Sequence, residues 1–209
     1  MPLSVEEINK LKAAPVEGML PTIAHRWSPR AFTDKAVSTN DLKIILEAAR
    51  WAASSSNEQP WRFFVGIQGS ETHSKIFETF VGFNQSWANK PNVLILGVSR
   101  LKDEKDNPND YALYDLGQAA VSLILQATAL GLATHSMAGF DHHAARSAFN
   151  LNEDYAVGAI IAIGHQAEPS SLPNAKLEER EIAPRQRKPL SEIALVGLDD
   201  SGKSQPLQI

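Results

Sequence analysis

Three short runs of apolar residues constrain this chain more than any other feature of its sequence. They occupy residues 61–67 (WRFFVGI), 92–98 (NVLILGV) and 157–164 (VGAIIAIG), and they are rich in aromatic or β-branched side chains. Runs of this length and composition are typical of buried strands. We therefore predict three buried strands, with a further strand or extended segment at 133–137.

Capping residues and helical periodicity predict five helices. Ser4, three residues before Glu7, gives a capping-box pattern, and Ser38 precedes a stretch whose apolar residues share one helical face. The strongest helical pattern also carries small residues, among them Gly117, that allow close contact with another helix. The helices are predicted at residues 5–13, 72–80, 111–130 and 142–149, with another that begins after Ser38.

Length and composition indicate one globular domain. The chain has 209 residues, of which 43% are hydrophobic and 21% charged, as in ordinary globular proteins. We expect residues 1–209 to form a single domain with one functional site. Residues 166–209 contain prolines and few apolar clusters, so we expect an arm that packs on a second subunit.

Several classes of protein are excluded by composition and charge. The chain has no cysteine, which excludes disulfides, iron–sulfur clusters and a thiol nucleophile, and is consistent with the cytoplasmic location that we expect. A net charge of -4 argues against a nucleic-acid partner. The first twelve residues lack the apolar segment of a signal peptide, and no run approaches the roughly 20 apolar residues of a membrane span.

Standard catalytic motifs are absent or incomplete. Neither a GxGxxG fingerprint nor a P-loop occurs. Ser136 lies at the centre of THSMA, where a nucleophile elbow would need glycines at the two outer positions. His142 and His143 are adjacent and cannot both face one metal from a helix, so no metal site is predicted.

Arginines near the two ends of the chain are candidates for binding an anion. In an extended HRWSPRAF segment, the side chains of Arg26, Ser28 and Arg30 would point to the same side. The guanidinium group suits phosphate because its planar donors bind two oxygens at once. A second basic group contains Arg185 and Arg187 and could bind the same anion. Exposed arginines without a ligand are the alternative for both groups.

Five segments, in order along the chain, resemble the flavin-dependent nitroreductase family. They are HRWSPRAF, AASSSNEQPWRF, GQAAVSLILQATALGLATHSMAGFD, VGAIIAIG and RQRKPLSE. The resemblance covers roughly residues 24–192. It implies an α+β fold with a mixed four- or five-stranded sheet flanked by helices. It also implies an intertwined homodimer with an FMN at each of two interface sites.

The resemblance assigns cofactor-binding roles to individual positions. Arg26, Ser28 and Arg30 match residues that hold the FMN phosphate, ribityl chain and pyrimidine edge. The loop that contains Ser54 matches one that reaches the flavin from the partner subunit, and Ala138 stands where many members carry an acidic residue. The implied set is Arg26, Trp27, Ser28, Arg30, Ser54, Ser55, Asn57, Asn84, Met137, Ala138, Gly139, Arg185 and Arg187.

The implied activity is that of an FMN-dependent NAD(P)H oxidoreductase. NADH or NADPH would deliver hydride to flavin N5 and leave, and a nitroaromatic, a quinone or a similar acceptor would then bind, in a ping-pong mechanism. No side chain is assigned a catalytic role, because the flavin carries the chemistry. Two alternatives stay open: a flavin-binding store or sensor without turnover, and another flavin chemistry on the same scaffold.

Overall fold

The computed structural model of the chain describes residues 3–208, so the outermost ends of the predicted 1–209 domain and 166–209 arm lie outside the described residues. The helices are α1 (Val5–Lys12), α2 (Pro21–His25), α3 (Thr39–Arg50), α4 (Glu71–Glu78), α5 (Ala112–Ala129), α6 (His142–Ala148) and α7 (Ala175–Ile182). The strands are β1 (Trp61–Ile67), β2 (Val93–Arg100), β3 (Ala133–Met137), β4 (Tyr155–Gly164), β5 (Leu195–Leu198) and β6 (Ser204–Pro206).

The central sheet has four strands in the order β1-β2-β4-β3. Every neighbouring pair in it is antiparallel. Strands β2 and β3 run in the same direction, but β4 lies between them and pairs with both. The α+β class is therefore confirmed, whereas the described chain contains an antiparallel sheet in place of the mixed pairing that the resemblance implied.

Both faces of this sheet are covered by apolar packing. Along β2, Leu94 and Leu96 belong to one buried cluster, and Ile95 belongs to another that includes residues of α3 and α5. Successive side chains of a strand point to opposite faces, so a strand that is buried on both faces must be apolar at nearly every position. Strand β2 meets this requirement, and the strands predicted at 61–67, 133–137 and 157–164 are present as well.

The predicted helices are also present, and two further helices occur that were not predicted. The Ser4 hydroxyl accepts from the Glu7 N–H, and the Glu7 carboxylate accepts from the Ser4 N–H, as the capping box requires. Helix α2 lacks a capping side chain and begins at Pro21, a residue that suits the first position of a helix. Within residues 3–208, no helix has the length and apolar character needed to cross a bilayer.

The C-terminal segment divides into two parts. Helix α7 packs on its own chain, where Leu177 is fully buried in the core. The antiparallel hairpin of β5 and β6 follows, and its residues are exposed. Only this second part, from about residue 190 onwards, has the character of an arm that extends from the chain.

Gly66 of β1 permits a close approach of α4. A Cβ atom at this position would lie 2.5 Å from the backbone N and Cα of His73. We expect Gly66→Ala to lower the free energy of unfolding by about 2–3 kcal/mol, because backbone cannot move aside as a side-chain tip can. Urea denaturation followed by circular dichroism measures this loss.

The control is Gly97→Ala in the adjacent strand. A Cβ there would make an ordinary 3.4 Å contact with a methyl group of Leu116, so we expect a loss below about 1 kcal/mol. Equal losses in the two variants would contradict the claim that the approach of α4 depends on Gly66.

Candidate functional site

The segment 26–30 presents alternate side chains to one cavity. Arg26, Ser28 and Arg30 line a cavity of about 250 Å³, and Arg26 donates to the Ser28 hydroxyl at 3.4 Å. The intervening Trp27 and Pro29 are buried. Trp27 also lines the cavity, and its indole N–H is used structurally, since it donates to the Asn9 side chain on α1. The local geometry is therefore that of an extended segment.

The C-terminal arginines line the same cavity. Arg185 and Arg187 both face it, and Arg185 donates to the backbone oxygens of Lys12 and Ala24 at 2.6 and 3.1 Å. Burial lowers the pKa of Arg26, and the charges of Arg185 and Arg187 lower it further. Three guanidinium groups that repel one another would be stabilised by an anion between them.

Glu181 of α7 holds the 26–30 segment in place. Its carboxylate is fully buried, and Oε1 accepts from the backbone N–H groups of Arg30 and Ala31 at 2.8 and 3.1 Å. Its other oxygen lies 3.7 Å from the Arg30 guanidinium. Burial raises the pKa of Glu181, and the two backbone donors act in the opposite direction. This residue, Lys12 and Arg180 all belong to the site, and none of them was predicted.

The cavity carries a large excess of positive charge. Its lining and its buried support contain one carboxylate, that of Glu181, and six cationic side chains: Lys12, Arg26, Arg30, Arg180, Arg185 and Arg187. A larger cavity of about 460 Å³ shares Arg26 and Trp27 with this one, but the charges of its lining are mixed and include the Glu6–Lys10 ion pair. The smaller cavity is therefore the one suited to a phosphate group.

A polar turn lies next to this cavity, which we call the cation cavity. The ring of Phe83 lies 4.4 Å from the Arg180 guanidinium and 5.7 Å from that of Arg30. The next residue, Asn84, donates through its side-chain amide to the Gly139 carbonyl at 3.1 Å. A Cβ on Gly139 would lie 2.8 Å from that amide nitrogen, so a larger residue there would displace the Asn84 side chain.

Two other residues that the family resemblance implied lie near this turn, and they differ in exposure. Ala138 is exposed beside Gly139, whereas the Met137 side chain is buried in the core and does not face the cavity. Among residues 3–208, no three His, Asp or Glu side chains come close enough together to hold a metal ion.

The loop that contains Ser54, Ser55 and Asn57 lies apart from the cation cavity. The Ser54 hydroxyl accepts from the Gln59 N–H, and the Ser55 N–H donates to Asp115 of α5. This loop precedes β1 at one edge of the sheet. The 26–30 segment packs instead on β3 at the other edge, so one chain alone does not bring the two groups together.

Comparison with known proteins identifies the family. The model of the nitroreductase family matches residues 23–86 and 68–165, which together cover more than half of the chain. The chain belongs to the nitroreductase family. A solved oxidoreductase that contains FMN has 34% sequence identity and a TM-score of 0.81, with coverage of 89% of this chain and 96% of the other.

Two curated relatives extend the comparison. An Archaeoglobus fulgidus protein, provisionally named an NADH dehydrogenase/NAD(P)H nitroreductase, is 27% identical over 154 residues, or 72% of this chain and 86% of its own. The major NAD(P)H-flavin oxidoreductase of Aliivibrio fischeri is 35% identical over 91 residues, or 41% of this chain and 40% of its own.

The match to the nitroreductase family ends before the C-terminal side of the cavity. It includes Arg26 through Gly139, but α7 and Arg185 lie beyond residue 165. A weak sequence signal for Glu181 does exist, because Leu177 and Glu181 lie four residues apart and so share one helical face. The buried leucine of that pair shows which face of α7 is turned inward.

His135 connects β3 to the 26–30 segment, and its burial makes stability depend on pH. Its Nδ1–H donates to the Pro29 carbonyl at 2.9 Å, and burial lowers the pKa of His135 to about 4. The unfolded chain binds a proton at this residue below about pH 6.5, and the folded chain does not until about pH 4. We therefore expect stability to fall as the pH is lowered through this window, by up to about 3 kcal/mol from this group.

Urea denaturation at pH 7 and pH 4.5 tests this dependence. In His135→Gln, which keeps a donor for Pro29 but cannot titrate, we expect a smaller loss of stability between the two pH values than in the wild type. The exposed His143→Gln is the control and should behave as the wild type does. If His135→Gln loses as much stability as the wild type, the buried imidazole is not responsible.

Proposed function

We propose that this protein is an FMN-dependent oxidoreductase that passes electrons from NADH or NADPH to nitroaromatics, quinones or similar acceptors by a ping-pong mechanism. Membership of the nitroreductase family supports the proposal. So do a similar solved protein that contains FMN and relatives named for NAD(P)H and flavin. The absence of cysteine is compatible with a reducing cytoplasm, where these nucleotides are available.

The observation that carries this proposal is the uncompensated charge of the cation cavity. Six cationic side chains face one carboxylate there. A phosphate monoester carries up to two negative charges and accepts hydrogen bonds from guanidinium and hydroxyl groups. The donors of Arg26, Ser28, Arg185 and Arg187 fit such a group, in a chain that has neither a P-loop nor a metal-binding motif.

The residues around the cavity then have separate roles. We assign phosphate binding to Arg26, Arg185 and Arg187, and ring contacts to Asn84 and the exposed turn at Gly139. Arg30, held by Glu181, provides positive charge between these two groups. Bound FMN supplies the redox chemistry, so the chain needs no side-chain acid or base for it and contributes binding, orientation and electrostatic stabilisation.

We further propose that the protein is a homodimer. The outer face of α5 exposes Tyr114 and Val121, which lie two helical turns apart with Gly117 between them. The hairpin of β5 and β6 also exposes Val196 and Leu198. Apolar surface of this extent is typical of an interaction site. A second copy would cover α5 and would supply the loop of residues 54–57 that the cation cavity of one chain lacks.

Anaerobic titration of the purified protein with NADH and with NADPH tests the activity. We expect a yellow protein whose absorbance at about 450 nm, which is typical of oxidised flavin, is bleached by at least one nucleotide and restored by a nitroaromatic or a quinone. A colourless protein that takes up no FMN would overturn the proposal. A yellow protein that neither nucleotide bleaches would instead be a flavin-binding store or sensor.

Removal of one guanidinium tests the assignment of the phosphate site. We expect Arg26→Ala to weaken FMN binding by about 3 kcal/mol, or roughly 150-fold in Kd, because part of the phosphate charge loses its partner. Fluorescence titration of the apoprotein with FMN measures the change. Arg100→Ala is the control, since Arg100 lies at the end of β2 and pairs with Asp106. Wild-type affinity in Arg26→Ala would contradict the assignment.

A charge on the outer face of α5 tests the dimer. We expect Val121→Glu to produce monomers that bind FMN more weakly, because burial of a carboxylate opposes association and the second copy's loop is lost. Analytical ultracentrifugation measures the oligomeric state. Val16→Glu changes a valine of similar exposure in the loop between α1 and α2 and should leave the dimer intact. A dimer that survives Val121→Glu would place the interface elsewhere.

A further inference from the structure

Arg180 is a cation of the cavity to which the proposed FMN site assigns no role. Arg180, in the last turn of α7, lines the cavity, and its guanidinium lies over the ring of Phe83 at 4.4 Å from the ring centroid. Within residues 3–208 no carboxylate lies within 4 Å of it, whereas Arg30 on the same ring is paired with Glu181. Arg180 is therefore a cation without a counter-ion, held next to the turn that contains Asn84.

The charges of the cavity show that FMN alone would not neutralise it. Six cationic side chains and the Glu181 carboxylate leave five positive charges, and a phosphate monoester offsets at most two of them. Arg26, Arg185 and Arg187 form one group, because the charges of the last two act on Arg26. Arg30 and Arg180 form a second group, since both guanidinium groups lie against the ring of Phe83. A second anion would be stabilised at this second group.

We propose that Arg180, with Arg30 on the same Phe83 ring, forms a second anion subsite that recognises an oxyanion on the molecule that exchanges electrons with the flavin. This inference rests on the proposed function, and it adds a preference for anionic over neutral partners of similar shape. Two sources of this chemistry exist: the 2′-phosphate that distinguishes NADPH from NADH, and a carboxylate on the acceptor. The guanidinium suits both, because its planar donors match two oxygens of either group.

Equilibrium binding to the FMN-loaded protein tests the subsite without turnover. Flavin absorbance is followed during titration with 4-nitrobenzoate and the neutral 4-nitrobenzamide, and with adenosine 2′-monophosphate and adenosine. We expect Arg180→Met to raise the Kd of at least one anionic probe roughly tenfold and to leave both neutral probes within about twofold. The probe that responds identifies the source of the oxyanion. Arg180→Lys should restore part of the affinity, since it keeps the charge but not the planar donors.

The control is Lys176→Met, which removes a positive charge one turn earlier on the same helix from a residue that does not line the cavity. It should leave all four values of Kd unchanged. The FMN affinity of Arg180→Met should also equal that of the wild type. A loss of FMN affinity as large as that in Arg26→Ala would overturn the inference, because Arg180 would then belong to the cofactor's own phosphate site.

The outcomes separate this inference from the proposed function. If the wild type binds each anionic probe no more tightly than its neutral counterpart, the subsite does not exist, even where NADH or NADPH still bleaches the flavin. If the anionic probes respond to Arg180→Met but neither nucleotide bleaches the flavin, the subsite is supported and the oxidoreductase activity fails. Steady-state KM values for NADPH and NADH provide a second measurement, and a selective rise for NADPH in Arg180→Met supports the phosphate as the source.

Discussion

The buried carboxylate of Glu181 is the interaction on which the candidate site depends. It joins α7 to the backbone of Arg30 and Ala31, two segments that are about 150 residues apart in the chain. Burial of a charge costs several kcal/mol unless it is well hydrogen-bonded and paired. Here two backbone donors and one guanidinium offset that cost. The carboxylate thereby fixes the path of the segment that presents Arg26, Ser28 and Arg30 to the cavity.

The same interaction explains why the cation cavity can exist in a chain whose net charge is -4. Arginines from both ends of the chain would repel one another if they were brought together without support. Glu181 offsets part of this repulsion from the buried side, and Arg185 is anchored by the backbone oxygens of Lys12 and Ala24. Because these partners all lie beneath the cavity, its open side keeps its positive charge and is ready for an anion.

Local patterns in the sequence predict most of the helices and strands. The remaining features depend on contacts between residues that are far apart in the chain. Strands buried on both faces must be apolar throughout, so their positions could be predicted, as could helices with a capping residue. The antiparallel pairing depends on the insertion of β4 between β2 and β3, which no local pattern encodes. Alternation of side chains along an extended segment predicts that Arg26 and Arg30 point to the same side. The charge pattern of α7 does not distinguish Glu181, because it is one of three glutamates in a short charged helix. The structure shows that this glutamate points inward, on the helical face that also carries the buried Leu177.

The loop of residues 54–57 has an unusual backbone conformation that its own hydrogen bonds maintain. Ser56, Asn57 and Gln59 have φ values of 50°, 60° and 46°, in the left-handed region that costs non-glycine residues of the order of 1 kcal/mol or more each. Bonds from Ser55 to Asp115 and from Gln59 to Ser54 hold this conformation, although the loop lies at the sheet edge opposite the cation cavity. In the homodimer that we propose, this loop would contact the second copy of the chain. The fixed conformation of the loop would then favour recognition between the two copies.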